Sequence, residues 1–246
     1  MFENISWQTW VPWYLCRDAG RKIPGITHNL NNFVHIIDMQ TSLLQSKSIS
    51  KPESPISEHE GRIQKMGETN QGLLEFMQVS SNWSFYSQKE RIQTGIPEFM
   101  DWLLNFWKND LFFKHKIKAD ISLGDNLPHL DIPAVTLTFA VQEALSNAVD
   151  ACRLRDSENE QEIGIRAEPE QNGVRVRINS PVAMDLDTQS AWEPCTGTKR
   201  GHPGLGLYLI REMCNDLGWA PSIDSHPQGT EFSLLIPEKK TGFKFE

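Results

Sequence analysis

Gln142-Glu143-Ala144-Leu145-Ser146-Asn147-Ala148-Val149-Asp150-Ala151 is the stretch whose reading decides the fold. It sits late in a helix that Pro133 opens and Arg153 closes, with Leu137, Val141, Leu145 and Ala148 on its apolar side. Glu143 and Asn147 are one turn apart and project from one face. An amide oxygen there suits Mg²⁺, a hard cation that prefers oxygen donors, and a carboxylate one turn earlier can orient a water or accept a proton. A polar helix edge that meets only solvent has the same pattern, so the stretch needs company before it means chemistry.

Company comes from two later stretches. Glu193-Pro194-Cys195-Thr196-Gly197-Thr198-Lys199 is followed by Gly201-His202-Pro203-Gly204-Leu205-Gly206-Leu207, just before a helix expected from Leu205 to Leu217. Glycines at that place let backbone N–H groups approach phosphate oxygens, and the helix N-terminus adds partial positive charge. Lys199 adds a full charge, and Gly197 and Gly201 allow a mobile lid. Gln228-Gly229-Thr230-Glu231-Phe232 then enters a closing strand, Thr230 to Ile236. Taken singly, the second stretch reads as a capping turn and the third as a hairpin.

Around them the chain has mixed α/β character. Ile96, Phe99, Met100, Leu103 and Trp107 mark a helix, with Pro97 in its first turn. Ile117-Ala119-Ile121, Ile163-Ile165 and Val174-Val176-Ile178 alternate as strands. Upstream, a helix is expected after Pro24-Gly25 (Ile26, Leu30, Phe33, Ile37, Leu44) and another from Glu58 to Val79 (Ile63, Met66, Leu73, Met77), with a proline-marked turn from Ser48 to Ser57. Ser80 to Thr94 reads as a polar link. The fold class expected is therefore α+β: an N-terminal antiparallel helical hairpin over residues 1–90, then an α/β sandwich over residues 91–246. A lone hairpin cannot cover both of its apolar faces, so a four-helix bundle formed by a homodimer is expected. The aromatic start, with Trp7, Trp10, Trp13 and Tyr14, is expected to pack on that bundle.

Order and combination of the three stretches resemble the superfamily shared by histidine kinases, gyrase-type topoisomerases and mismatch-repair ATPases. Glu143 and Asn147 resemble its N-box, Trp192-Glu193-Pro194 its F-box, and Gly204-Leu205-Gly206-Leu207 its second glycine box. Membership implies ATP under a mobile lid, held by Asn147, Asp150, Asn179, Thr198, Lys199, Gly204, Leu205, Gly206, Leu207 and Thr230, with Mg²⁺ at Asn147 and Glu143. The family's Asp-x-Gly-x-Gly is replaced here by Asn179-Ser180-Pro181-Val182-Ala183, where Asn179 is expected to stand in as acceptor.

Gly25-Ile26-Thr27-His28-Asn29-Leu30-Asn31-Asn32 resembles the phosphoacceptor box of dimeric histidine kinases. That resemblance makes His28 the phosphoacceptor and Asn32, one turn on, a residue that orients water for dephosphorylation; His35 is the fallback and is expected merely to pack. Asn29 replaces the usual acidic neighbour. The function implied is a two-component histidine kinase that autophosphorylates His28 with ATP and Mg²⁺ and passes the group to an aspartate on a response regulator receiver domain. The two departures keep open a histidine phosphotransferase or response-regulator phosphatase with a degenerate ATP-binding domain, and a non-catalytic interaction module.

Bulk properties set the outer bounds. A net charge of −8 argues against nucleic acid as a partner, since phosphate backbones need a basic footprint. Four scattered cysteines (Cys16, Cys152, Cys195, Cys214) form no CxxC pair and read as reduced cytoplasmic thiols. No apolar run nears the ~20 residues that span a bilayer, so input is expected from a separate sensor protein.

Overall fold

The computed structural model describes residues 6–53, 55–155, 159–171, 173–197 and 203–238. It has the expected α+β architecture, with two long helices followed by a mixed sheet covered by helices on one face. No helix among the described residues is long and apolar enough to cross a membrane.

Helix α1 runs from Trp7 to Ser50 and helix α2 from Glu60 to Tyr86. Phe33 meets Phe76 at 5.8 Å between ring centroids, and Arg62 donates to Gln40 at 3.2 Å. Partners that descend along α2 as they ascend along α1 define an antiparallel hairpin. α1 begins far earlier than the sequence suggested and passes through Pro12 and Pro24. Each interior proline costs about 3 kcal/mol. Burial of Trp7, Val11, Tyr14 and Leu15, each contributing about 1.5–3 kcal/mol, offsets that cost.

α2 also outruns its expected end. The supposed polar link contains its last two turns, because Trp83 stacks on Phe106 at 4.7 Å and Tyr86 on Trp102 at 4.2 Å. Both partners lie on α3 (Ile96–Trp107), so an aromatic cluster joins the hairpin to the second half of the chain. Two short strands missed in the sequence, β1 (Arg91–Thr94) and β3 (Leu130–Pro133), pair antiparallel with Arg91 opposite Pro133. Between them lie α4 (Leu111–Lys116), capped by the Asp110 carboxylate on the Phe113 N–H, and β2 (Ile117–Leu123).

α5 (Ala134–Leu154) is the buried helix the sequence anticipated. β4 (Gln161–Glu170), β5 (Gly173–Ser180), α6 (Gly206–Leu217), β6 (Ala220–His226) and β7 (Gly229–Pro237) complete the fold. The five-stranded sheet has the order β2-β4-β5-β7-β6, parallel at β2·β4 and antiparallel elsewhere. Ile163, Ile165, Val174, Val176 and Ile178 are buried beneath α5 and α6. On the other face Arg175 and Arg177 pair with Glu170 and Glu168. Gly218, at φ 67°, ends α6 in the left-handed conformation that an L side chain resists.

Candidate active site

A cavity of about 400 Å³ opens between α5, the ends of β5 and β7, and the segment entering α6. α5 supplies Glu143 and Asn147, with the small side chains of Ala144, Ala148 and Ala151 leaving room beside them. Gly204, Leu205, Gly206 and Leu207 line the opposite wall, and Thr230 lies near the β7 end. The three sequence stretches, far apart in the chain, are thus brought to one hollow.

Backbone conformation explains the glycines. Gly204 has φ 65°, and its carbonyl accepts from the Cys195 N–H at 3.0 Å, which folds the 195–197 segment back onto it. A side chain at Gly206 would strike the Glu143 carboxyl group, so that carboxylate rests directly against the first turn of α6. The positive end of the helix favours an anion there. Glu143 is only 6% exposed and pairs with Arg17 at 3.3 Å.

Arg17 is the main surprise. Together with Tyr14 it lines the cavity from α1, whose first turns lie on α5 and α6 rather than on the hairpin. Trp7 donates its indole N–H to Asp216 at 2.6 Å, the Tyr14 ring meets Phe139 edge-on at 5.9 Å, and Arg21 pairs with Asp150 at 3.2 Å. Lys22 lies 3.4 Å from the Trp107 ring centroid. Burial lowers the Lys22 ammonium to about 8, against the pull of Asp18 and Asp110. Burial, with help from Glu143, raises the Tyr14 hydroxyl to about 12, while a backbone hydrogen bond from Leu205 acts the other way. The expectation that the aromatic start packs on the bundle is corrected: its buried stripe packs on the second half of the chain. Extending the helical periodicity backward through both prolines (Trp7, Val11, Tyr14, Asp18, Lys22, Gly25) would have found it.

Other assigned residues fall elsewhere. Asp150 does not line the cavity; it is buried between Arg21 and Arg153. Asn179 points to the other side of the sheet, against Gly164, and Ser180 reaches the cavity instead. Strand parity dictates this, because Val174, Val176 and Ile178 face inward and the next inward position is residue 180. Ser180 accepts from the Val182 N–H at 3.3 Å, and Thr230 donates to the Val182 carbonyl at 2.9 Å. Thr198 and Lys199 lie outside the described residues. His28 and Asn32 lie on the hairpin, not at the cavity; His28 is exposed, with its Nε2 3.2 Å from the Asn32 amide nitrogen. His35 is exposed too, not packed as expected. Asn29 donates to Asn109 at 3.0 Å and accepts from Lys114 at 3.3 Å, tying α1 to α3–α4.

Comparison with known proteins agrees with this geometry. Residues 127–236 match the family described as histidine kinase-like ATPase domain. The alginate biosynthesis sensor protein KinB of Pseudomonas aeruginosa is 28% identical over 127 residues, which are 50% of this chain and 20% of that protein. This chain therefore spans a small part of that relative's length. Among solved structures, the nucleotide-free catalytic domain of histidine kinase ThkA superposes with a TM-score of 0.51 at 19% identity, covering 61% of this chain and 96% of that one. Full-length ShkA in complex with AMPPNP gives 0.52 at 13% identity, over 87% of this chain and 46% of that one. At such identities the structures speak to fold alone. Fold, cavity and sequence match together make residues 127–236 of this chain a histidine kinase-like ATPase domain.

Proposed function

We propose that the chain is the core of a two-component histidine kinase: residues 1–90 carry the phosphoacceptor hairpin, and residues 91–246 bind ATP. The observation that carries the reading is the meeting of Asn147, Glu143 and the Gly204–Leu207 turn around one cavity beside the α6 N-terminus. That arrangement fits a triphosphate, because backbone N–H groups and the helix dipole favour anions. The Asn147 amide oxygen and the Glu143 carboxylate are hard donors that suit Mg²⁺, which would offset phosphate charge when bound.

In this reading the His28 imidazole attacks the γ-phosphorus in line and ADP departs. Asn32, by giving an N–H to Nε2, selects the tautomer with its proton on Nδ1. The Nε2 lone pair is then the nucleophile once the amide turns aside. The phosphoryl group passes on to an aspartate of a receiver domain. Exposed Ile23, Val34, Leu43, Leu74 and Met77 on the hairpin support burial against a second copy as a four-helix bundle. Four cysteines without a disulfide suit a reducing cytoplasm.

Incubation with γ-labelled ATP is expected to leave an acid-labile phosphate that His28→Gln abolishes. Label surviving that substitution would move the acceptor elsewhere. A nucleotide titration with and without Mg²⁺, repeated on Asn147→Ala, tests the cleft; metal dependence should vanish in the variant. A second reading, a phosphotransferase or regulator phosphatase that does not use ATP, is favoured by the engagement of Asn29 and by the turning of Asn179 away from the cavity. Measurable ATP affinity with self-labelling rules it out.

A further inference from the structure

We propose that the amino-terminal half of α1 competes with nucleotide phosphate for the N-terminus of α6, so that docked α1 and bound nucleotide oppose one another. This rests on reading the cavity as a nucleoside triphosphate site.

The seat a phosphate tail would use is filled by the chain itself. The Glu143 carboxyl group lies against Gly206, and Tyr14, from α1, lines the same cavity as Leu205. Arg17 brings one positive charge, yet it contacts both Asp18, at 2.8 Å, and Glu143, at 3.3 Å. Arg17 thereby helps to hold the Glu143 carboxylate on the seat that a phosphate would take, and its own charge is already engaged. Asp18 is 2% exposed and Glu143 6%, and water screens such buried charges poorly.

Docking also keeps the acceptor away. Eleven residues separate Arg17 from His28 on one continuous helix. At about 1.5 Å per residue, that is ~16 Å along the axis. While α1 is docked, His28 stands well away from the phosphate end of its own cleft. Release of α1 clears the seat and frees the histidine-bearing helix in one event. Coupling of this kind is reciprocal, so nucleotide must loosen α1 by the factor by which α1 weakens nucleotide.

Two contacts outside the cavity allow the strap to be released without altering the site. A side chain at Gly25 would run into the Asn109 backbone carbonyl, and Val11 is fully buried. Gly25→Ala and Val11→Asp should therefore lift α1. The experiment is calorimetric titration of the full chain and both variants with a nonhydrolysable ATP analogue and Mg²⁺, with hydrogen exchange followed on the same samples. We expect the variants to bind about 5–150-fold more tightly, the range of ordinary coupling energies. We also expect the analogue to speed exchange of residues 7–22 in the unaltered chain while α5 stays protected. Equal affinity in all three proteins overturns the proposal, and weaker binding in the variants does too, by making α1 part of the binding site. Absence of binding in every protein, with exchange still reporting release of α1 in the variants, sinks the nucleotide reading and the competition with it. Should Val11→Asp lose α5 protection, Gly25→Ala alone decides.

Discussion

Along the first half of α1, Val11 and Leu15 are 0% and 2% exposed; along the second half, Val34 is 58% exposed and Ile49 84%. Apolar residues recur in both halves, and the difference lies in what each half meets. Residues 7–25 lie on α5, α6 and the α3–α4 turn, a surface already shaped by the sheet behind it. Beyond Ile26 and Asn29, which still touch the second half of the chain, residues 30–50 have chiefly α2 beside them among the described residues, and one helix covers one side. Burial is therefore a property of the surroundings as much as of the side chain. The half with a partner surface is held by its own chain, while the other keeps an apolar stripe available to a second copy.

The largest expected effect lies where α1 meets α5. Phe139→Ala removes a ring that is 1% exposed and meets Tyr14, so denaturant unfolding should report a loss of about 3–5 kcal/mol. A loss under about 1 kcal/mol would mean that the first half of α1 is no better packed than the second. Trp7→Phe keeps most of the burial but removes the hydrogen bond to Asp216, for which about 1.5–3 kcal/mol is expected. That substitution should also speed exchange in residues 7–22 without disturbing the hairpin.

Lys22 sharpens the contrast through pH. Its folded value is about 8 against 10.5 for the free side chain. Between those values the unfolded chain binds more protons, so the Lys22 contribution to stability rises with pH from about 8 to about 10.5. Below that window the folded state bears the cost of a buried charge. Unfolding free energies of the unaltered chain and Lys22→Met, measured across the window, should differ by an amount that changes in this direction; a constant difference would place Lys22 in water. Smallest of all, Val34→Ser should change single-chain stability by no more than about 0.5 kcal/mol. If the proposed dimer forms through this stripe, the change should weaken self-association in sedimentation, and unchanged self-association would remove Val34 from the proposed contact.

Much of the second half of the chain was legible because its signals are local. Pro133 at the start of α5, the alternation at Val174–Ile178 and the glycine-rich entry to α6 each specify an element within a few residues. The edge strand β6 was missed because a sheet edge needs little apolar content: its residues alternate between exposed and half-buried, and Pro221 weakens the pattern. The last turns of α2 were missed because Trp83 and Tyr86 are separated by polar residues, and only α3 reveals that they share a face. At the site, Glu143, Asn147 and Gly204–Leu207 converge as their spacing suggested, whereas Asn179 gave way to Ser180 by strand parity alone.

By itself the sequence determined α3, α5, α6 and the strands β2, β4, β5 and β7, and which side chains stand beside the α6 turn. These follow from backbone preference and periodicity, which act over a few residues. Only the tertiary structure decided that Tyr14 and Arg17 enter the cavity and that Asp150 pairs with Arg21. An ion pair or an edge-on ring contact between residues more than a hundred positions apart has no local signature. It exists because the sheet first brings two distant surfaces within reach, and then burial makes each charge there require a partner.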